Sequence, residues 1–126
     1  MKAVVKKFMC PTPGIDLSTY YPDNPENFGI WIDFTAGPED AEGGHDYRIF
    51  VCTPTRIIHE SDRQGGVFGK DKLIVFDYDL EVIRRCIIQY VENCTGTDFW
   101  EVARKIGRIA SWEFEDYENQ AAPPSR

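Results

Sequence analysis

The sequence predicts an α+β domain: an antiparallel sheet of about four strands, two C-terminal antiparallel helices packed on one face, and a short helix after the third strand. Three observations carry the prediction. Segments alternating apolar and polar residues fill the chain as far as Tyr78, joined by Pro- and Gly-rich turns. Two apolar stripes at steps of three and four follow them, from Leu80 to Cys94 and from Phe99 to Ala110. Only Thr95 to Thr97 separates those two helical segments, so they must lie side by side. Strands first and helices afterwards, with hairpin-type connections, place a helical layer over one sheet face.

Ala3 to Met9, rich in Val and Phe, reads as the first strand, ended by Pro11 and Pro13. Its Lys6 and Lys7 mark an exposed edge. Gly14 to Asn27 lacks periodicity apart from a short turn at Leu17 to Tyr21, and is expected to be an ordered loop. From Phe28 to Ala36 the alternation is clean, with Phe28, Ile30, Ile32 and Phe34 on one face and Trp31, Asp33 and Thr35 on the other. Gly37-Pro38 is expected to break that strand, and Glu39, Asp40, Glu42, Gly43 and Gly44 to form a flexible acidic loop. The strand Asp46 to Thr53 then directs Tyr47, Ile49 and Val51 one way and Arg48, Phe50 and Cys52 the other.

Pro54, with Thr53 before it as cap, starts a short helix through Arg56, Ile57 and Ile58. Ser61 to Gly69 is polar and Gly-rich, and Lys72 to Tyr78 reads as the last strand. The longest helix runs from Asp79 to Cys94: Asp79 caps the first turn, Leu80, Ile83, Ile87, Tyr90, Val91 and Cys94 form the buried stripe, and Gly96 supplies a left-handed stop. Glu81 and Arg85 stand one turn apart on its wet face. Asp98 and Glu101 have capping-box spacing, and Phe99, Val102, Ala103, Ile106, Ile109 and Ala110 stripe the second helix. Gly107 falls within that helix, where a close neighbour would account for it. Residues 121–126 are expected to form a disordered tail.

Length and composition bound the function. With 126 residues, 42% hydrophobic and 28% charged, one folded domain forms without metal or disulfide help. Twenty-one acids against 14 bases give a net charge of -7, which disfavours binding to phosphate backbones and suits a basic partner or simple solubility. Neither a signal peptide nor a membrane span can be read, so a cytoplasmic location is expected. Cys10, Cys52, Cys86 and Cys94 form no CxxC pair and read as buried free thiols, Cys10 the most accessible. In that setting the Asn93-Cys94-Thr95 sequon is never modified.

The sequence offers no catalytic constellation. His45 and His59 read as surface histidines, and no Cys or His pair has zinc-ligand spacing. In the run Gly65 to Asp71, Asp71 stands where a phosphate loop needs Ser or Thr for magnesium. The adjacent acids Glu39-Asp40 and Glu115-Asp116 read as solvated surface. No cofactor or metal is implied. Binding is therefore the leading function class, with a small cytoplasmic enzyme or ligand-binding domain of unknown substrate as the alternative.

Four segments in order carry a resemblance: Ile15-Asp16-Leu17, Tyr21-Pro22-Asp23-Asn24-Pro25-Glu26-Asn27-Phe28, Val51-Cys52-Thr53-Pro54 and Trp112-Glu113-Phe114-Glu115-Asp116-Tyr117. From Lys2 to Tyr117 the chain resembles the immunity protein 8 (Imm8) family of bacterial polymorphic toxin systems. The resemblance implies a single immunity-type domain over residues 1–120, without enzymatic activity. It also implies a cytoplasmic antidote that binds and blocks a toxin C-terminal domain delivered by neighbouring cells. Where the family pattern has an aromatic residue shortly after Cys-Thr-Pro, this chain has Arg56. If that position meets the toxin, the partner differs from those of close relatives. The charge makes a basic nuclease toxin the most plausible partner class, and the candidate contacts are the acids Glu39, Asp40, Glu42, Asp46, Glu113, Glu115 and Asp116, together with Trp31, Phe50 and Arg56. Trp31 and Phe50 either form an aromatic surface outside the helix-covered core or lie beneath a loop. Trp112 and Tyr117 are expected to lock the C-terminus onto the core while Glu113, Glu115 and Asp116 face water.

Overall fold

Period-two alternation lays down three strands in succession. In the computed structural model, which describes residues 1–61 and 65–112, β1 (Ala3–Met9), β2 (Gly29–Pro38) and β3 (His45–Cys52) pair as an antiparallel meander. They are followed by α1 (Pro54–Glu60), β4 (Lys72–Ile74), α2 (Leu80–Asn93), α3 (Phe99–Ile106) and β5 (Ser111–Trp112). The sheet order is β1-β2-β3-β4, and β5 also pairs with β3. Since β2 occupies one edge of β3, β4 and β5 divide the other: β5 lies beside Tyr47 and Arg48, β4 beside Phe50 to Cys52.

The α+β class holds, with the sheet mixed rather than antiparallel. β4 runs parallel to β3, because α1 and the loop after it carry the chain back far enough to re-enter in the same direction. β4 is also shorter than the predicted Lys72 to Tyr78. Val75 still donates to the Cys52 carbonyl, at 2.9 Å, but the chain then bends and leaves Phe76 and Asp77 both exposed. It enters β4 through Asp71, whose φ of 58° is a left-handed conformation that Asp tolerates better than most residues.

One face of the sheet carries the core. Ile30, Ile32 and Phe34 of β2 and Tyr47, Ile49 and Val51 of β3 are buried together with Ile83, Ile87 and Val91 of α2 and Val102, Ala103 and Ile106 of α3. Phe34 and Tyr47 stack with centroids 5.2 Å apart, and the Tyr47 hydroxyl donates to the buried Ala103 carbonyl at 3.1 Å. α2 begins as predicted, the Asp79 carboxylate accepting from the Glu81 and Val82 amides at 3.0 and 3.4 Å.

Its end differs from expectation. Cys94 leaves the helix in extended conformation, and Gly96 is absent from the left-handed region. Gly96 matters for space instead: a Cβ there would sit 2.9 Å from Glu101 Oε1 and 3.0 Å from Glu101 Cβ. α3 keeps half of a capping box, since Asp98 accepts from the Glu101 amide at 2.8 Å while the Glu101 carboxylate turns to the Thr97 amide (2.8 Å) and hydroxyl (3.0 Å). The helix stops at Gly107 rather than reaching Ala110. The ring of Trp112 comes up against Gly107, where a Cβ would lie 3.4 Å from Trp112 Cε3.

The loop from Gly14 to Asn27 is pinned at both ends. Asp16 accepts from the Ser18 amide and hydroxyl at 2.9 and 2.7 Å, and these bonds hold its carboxyl below the ordinary range. Tyr78 donates its amide to the Pro25 carbonyl, and its ring stands perpendicular to those of Tyr20, Tyr21 and Phe28 at centroid distances of 5.1 to 5.6 Å. No helix among the described residues is long and apolar enough to cross a membrane.

Candidate functional site

The same alternation that fills the core directs every second strand residue to the opposite face. The register aligns them in rows: Lys7, Thr35 and Asp46; then Met9, Asp33, Arg48 and Ser111; then Trp31, Phe50 and Lys72; then Gly29, Cys52 and Ile74. α2 and α3 lie against the core face, so these rows form the second surface of the sheet.

Its three zones differ in chemistry. At the Gly29 and Cys52 end α1 provides cover: Arg56 Cγ would lie 3.2 Å from a Cβ on Gly29, and the charges of Arg56 and Glu60 bear on the Cys52 thiol. Cys52 is fully buried, and that burial pushes its thiol above the ordinary range. Thr53 occupies the cap position of α1 without capping it. Its hydroxyl accepts from the Phe28 amide at 3.1 Å, while its own amide donates to the Phe28 carbonyl, also at 3.1 Å. Arg56 is bound one turn along to Glu60 at 2.9 Å.

In the middle zone Trp31 is 44% exposed, with its ring 4.8 Å from that of Phe50. Phe50 is only 8% exposed. It lies over Gly29, where a Cβ would fall 2.4 Å from Phe50 Cζ, so the glycine is what allows this ring to lie flat against the sheet. Of the two aromatic candidates, then, Trp31 offers surface and Phe50 supports it from below. Met9, 48% exposed, stands diagonally across from Trp31 on β1.

The third zone is polar and ordered. Arg48 donates to both oxygens of Asp33, at 2.7 and 3.0 Å, and this pairing raises its pKa above the ordinary arginine value. Thr35 donates to Asp46 at 2.6 Å. A shallow, open cavity of about 250 Å³ is lined here by Asp33, Asp46, Tyr47, Arg48, Ser111 and Trp112, and a smaller one of about 120 Å³ by Lys7, Met9, Asp33, Thr35 and Asp46.

Beyond this zone lies the β2–β3 hairpin. Gly37-Pro38 does not break β2, which pairs with β1 as far as Pro38 opposite Ala3. β3 has already ended there, so the proline forfeits its donor on a locally unpartnered edge. The turn is tight rather than loose: a Cβ on Gly37 would lie 2.0 Å from the Gly43 oxygen, and Gly43 itself has φ +89°. Lys6, the extra residue of a bulge in β1, donates its ammonium to the Ala41 carbonyl. Glu39, Asp40, Glu42 and Asp46 are all exposed at this end of the face. The other predicted acids, Glu113, Glu115 and Asp116, lie outside the described residues, as do Tyr117 and the expected tail.

Two expectations about reactive groups change. His45 is half-buried, opening β3 among Phe99, Trp100 and Trp112 at centroid distances of 5.5 to 5.6 Å, and its Nδ1 accepts from Trp112 Nε1 at 3.1 Å. Cys10 is 5% exposed, buried with Cys52 and Cys94, and Cys86 is the more open thiol. Pro11 ends the strand but leaves Cys10 directed into the core, whereas Cys86 lies off the buried stripe of α2. Among the described residues no group of three or more His, Cys, Asp or Glu could hold a metal ion.

Comparison with known families places these features in context. The family model described as immunity protein 8 matches residues 3–117, most of the chain. No curated protein and no solved structure matches it.

Proposed function

We propose, for a chain that belongs to the immunity protein 8 family, the role of a stoichiometric inhibitor that binds and neutralises the cognate toxin domain of a polymorphic or contact-dependent system. The observation that carries this reading is the family match over nearly the whole folded chain. The inhibitor acts in the cytoplasm by occupying a surface of the toxin and has no chemistry of its own.

Charge supports a basic partner. A nuclease toxin needs positive surface to hold its phosphate-rich substrate. The exposed hairpin acids Glu39, Asp40, Glu42 and Asp46 would meet such a surface, with Glu113, Glu115 and Asp116 as a second set. Trp31, resting on Phe50, supplies an anchor of the type that dominates protein interfaces, and Arg56 borders it. An enzyme or ligand-binding domain would call for a deep cleft with converging polar groups, and the larger of the two cavities on this face is shallow and open.

The experiment is direct. The toxin domain encoded beside this chain is expressed in bacteria with and without it, and growth is followed. Growth arrest relieved by co-expression, with a one-to-one complex on purification, is the expected result. Continued arrest with soluble immunity protein present overturns the reading.

A further inference from the structure

We infer that the toxin docks on the helix-free sheet face, presenting a lysine or arginine to the exposed ring of Trp31 and its wider basic surface to the acidic hairpin. The inference rests on the immunity reading and specifies its contact surface. Four observations converge on this face. Trp31 is the large aromatic of the face left open, and its ring is already fixed by Phe50 at 4.8 Å, so little side-chain freedom remains to be lost on binding. Tryptophan is also the best aromatic acceptor for a cation.

The neighbouring row is internally neutralised by the two-point Arg48–Asp33 pair, so it neither repels a basic partner nor leaves a charge to be desolvated alone. Asp46 and the exposed hairpin acids Glu39, Asp40 and Glu42 stand at one end of the sheet, outnumbering the ammonium groups of Lys6, bonded to Ala41, and Lys7, in the row of Asp46. Finally, Arg56 and α1 close the opposite end, so the open area is bounded on both sides. The arrangement is an aromatic anchor beside an acidic rim, matched to a positively charged partner surface.

The test uses the intact chain and the purified toxin domain encoded beside it, measured by surface plasmon resonance at low and high salt. Trp31→Ala is expected to raise the dissociation rate about tenfold or more with little change in association, and Trp31→Phe to fall between it and wild type. Because Trp31→Ala removes a ring packed on Phe50, Met9→Lys serves as a second variant. It alters an exposed edge residue of the same face and should weaken binding by like-charge repulsion while thermal unfolding stays at the wild-type midpoint. Arg85→Ala, on the exposed side of α2, should bind as wild type does. Wild-type binding with unchanged kinetics in both face variants overturns the docking face and leaves the immunity reading standing. Failure of the wild-type chain to bind or protect overturns both. Self-association of the free chain that Trp31→Ala abolishes, with toxin binding unaffected, would assign the face to a second copy and overturn the inference.

Discussion

Single residues show how a spacing rule can be right in position and wrong in partner. Asp98 and Glu101 were legible as a capping pair, yet Glu101 serves Thr97, whose backbone and side-chain donors hold its carboxyl below the ordinary range. A carboxyl with a lowered folded pKa contributes stability that is present above the unfolded value and lost as pH falls through the folded one. Glu101→Gln should therefore flatten the dependence of the urea midpoint on pH from about pH 5 downward, with the two proteins converging in acid. If the curves stay parallel throughout, the Thr97 bonds contribute nothing. The thiols give a second residue-level outcome. Cys86 should label first in native protein, and Cys10, Cys52 and Cys94 only on denaturation, because burial also raises the Cys52 and Cys94 thiols and starves them of thiolate. Mass spectrometry of partially labelled protein distinguishes them. Composition beside Pro11 said nothing of where the Cys10 side chain points, which is a tertiary fact.

Elements were legible wherever burial is one-sided. The stripe of α2 and the alternation of β2 and β3 each match a single period, and the structure buries most of the residues those periods select, leaving Leu80 and Tyr90 half-buried at the margin of the α2 stripe. Direction and partner are different matters. Nothing in Lys72 to Ile74 specifies pairing parallel to β3, and β5, Ser111–Trp112, joins Tyr47 and Arg48 across about half of the chain. The Thr53-Pro54 step signals a helix start, which it is, while the Thr53 hydroxyl, together with its amide, fastens the entry of β2 to the exit of β3. Thr53→Val keeps the volume and the β-branch but leaves the Phe28 amide without that acceptor. The expected cost is about 1–3 kcal/mol in chemical denaturation, with Thr53→Ser recovering part of it. A Val variant as stable as wild type would mean that the amide finds another partner.

At the scale of the whole molecule, the candidate face was half legible: the strand periods separated Trp31 and Phe50 from the core, but only the register put them beside Arg48–Asp33 and below the hairpin acids. Reversing Glu39, Asp40 and Glu42 to lysine should slow association with the toxin domain and reduce its salt dependence, with the thermal midpoint held, since rim charge acts mainly on encounter. Stopped-flow mixing at low salt measures it, and an unchanged association rate removes the hairpin from the interface. The shared edge of β3 bears on how the chain is made. A ribosome delivers β1, β2 and β3 as neighbouring hairpins that can pair at once, and then α1 and β4. The stretch of β3 at Tyr47 and Arg48 must wait for Trp112, after both long helices have emerged. Until then the nascent sheet carries a bare strand margin at Tyr47 and Arg48, open to the wrong neighbour. Trp112, closing over Tyr47 and beside Gly107, is thus the latch of the sheet.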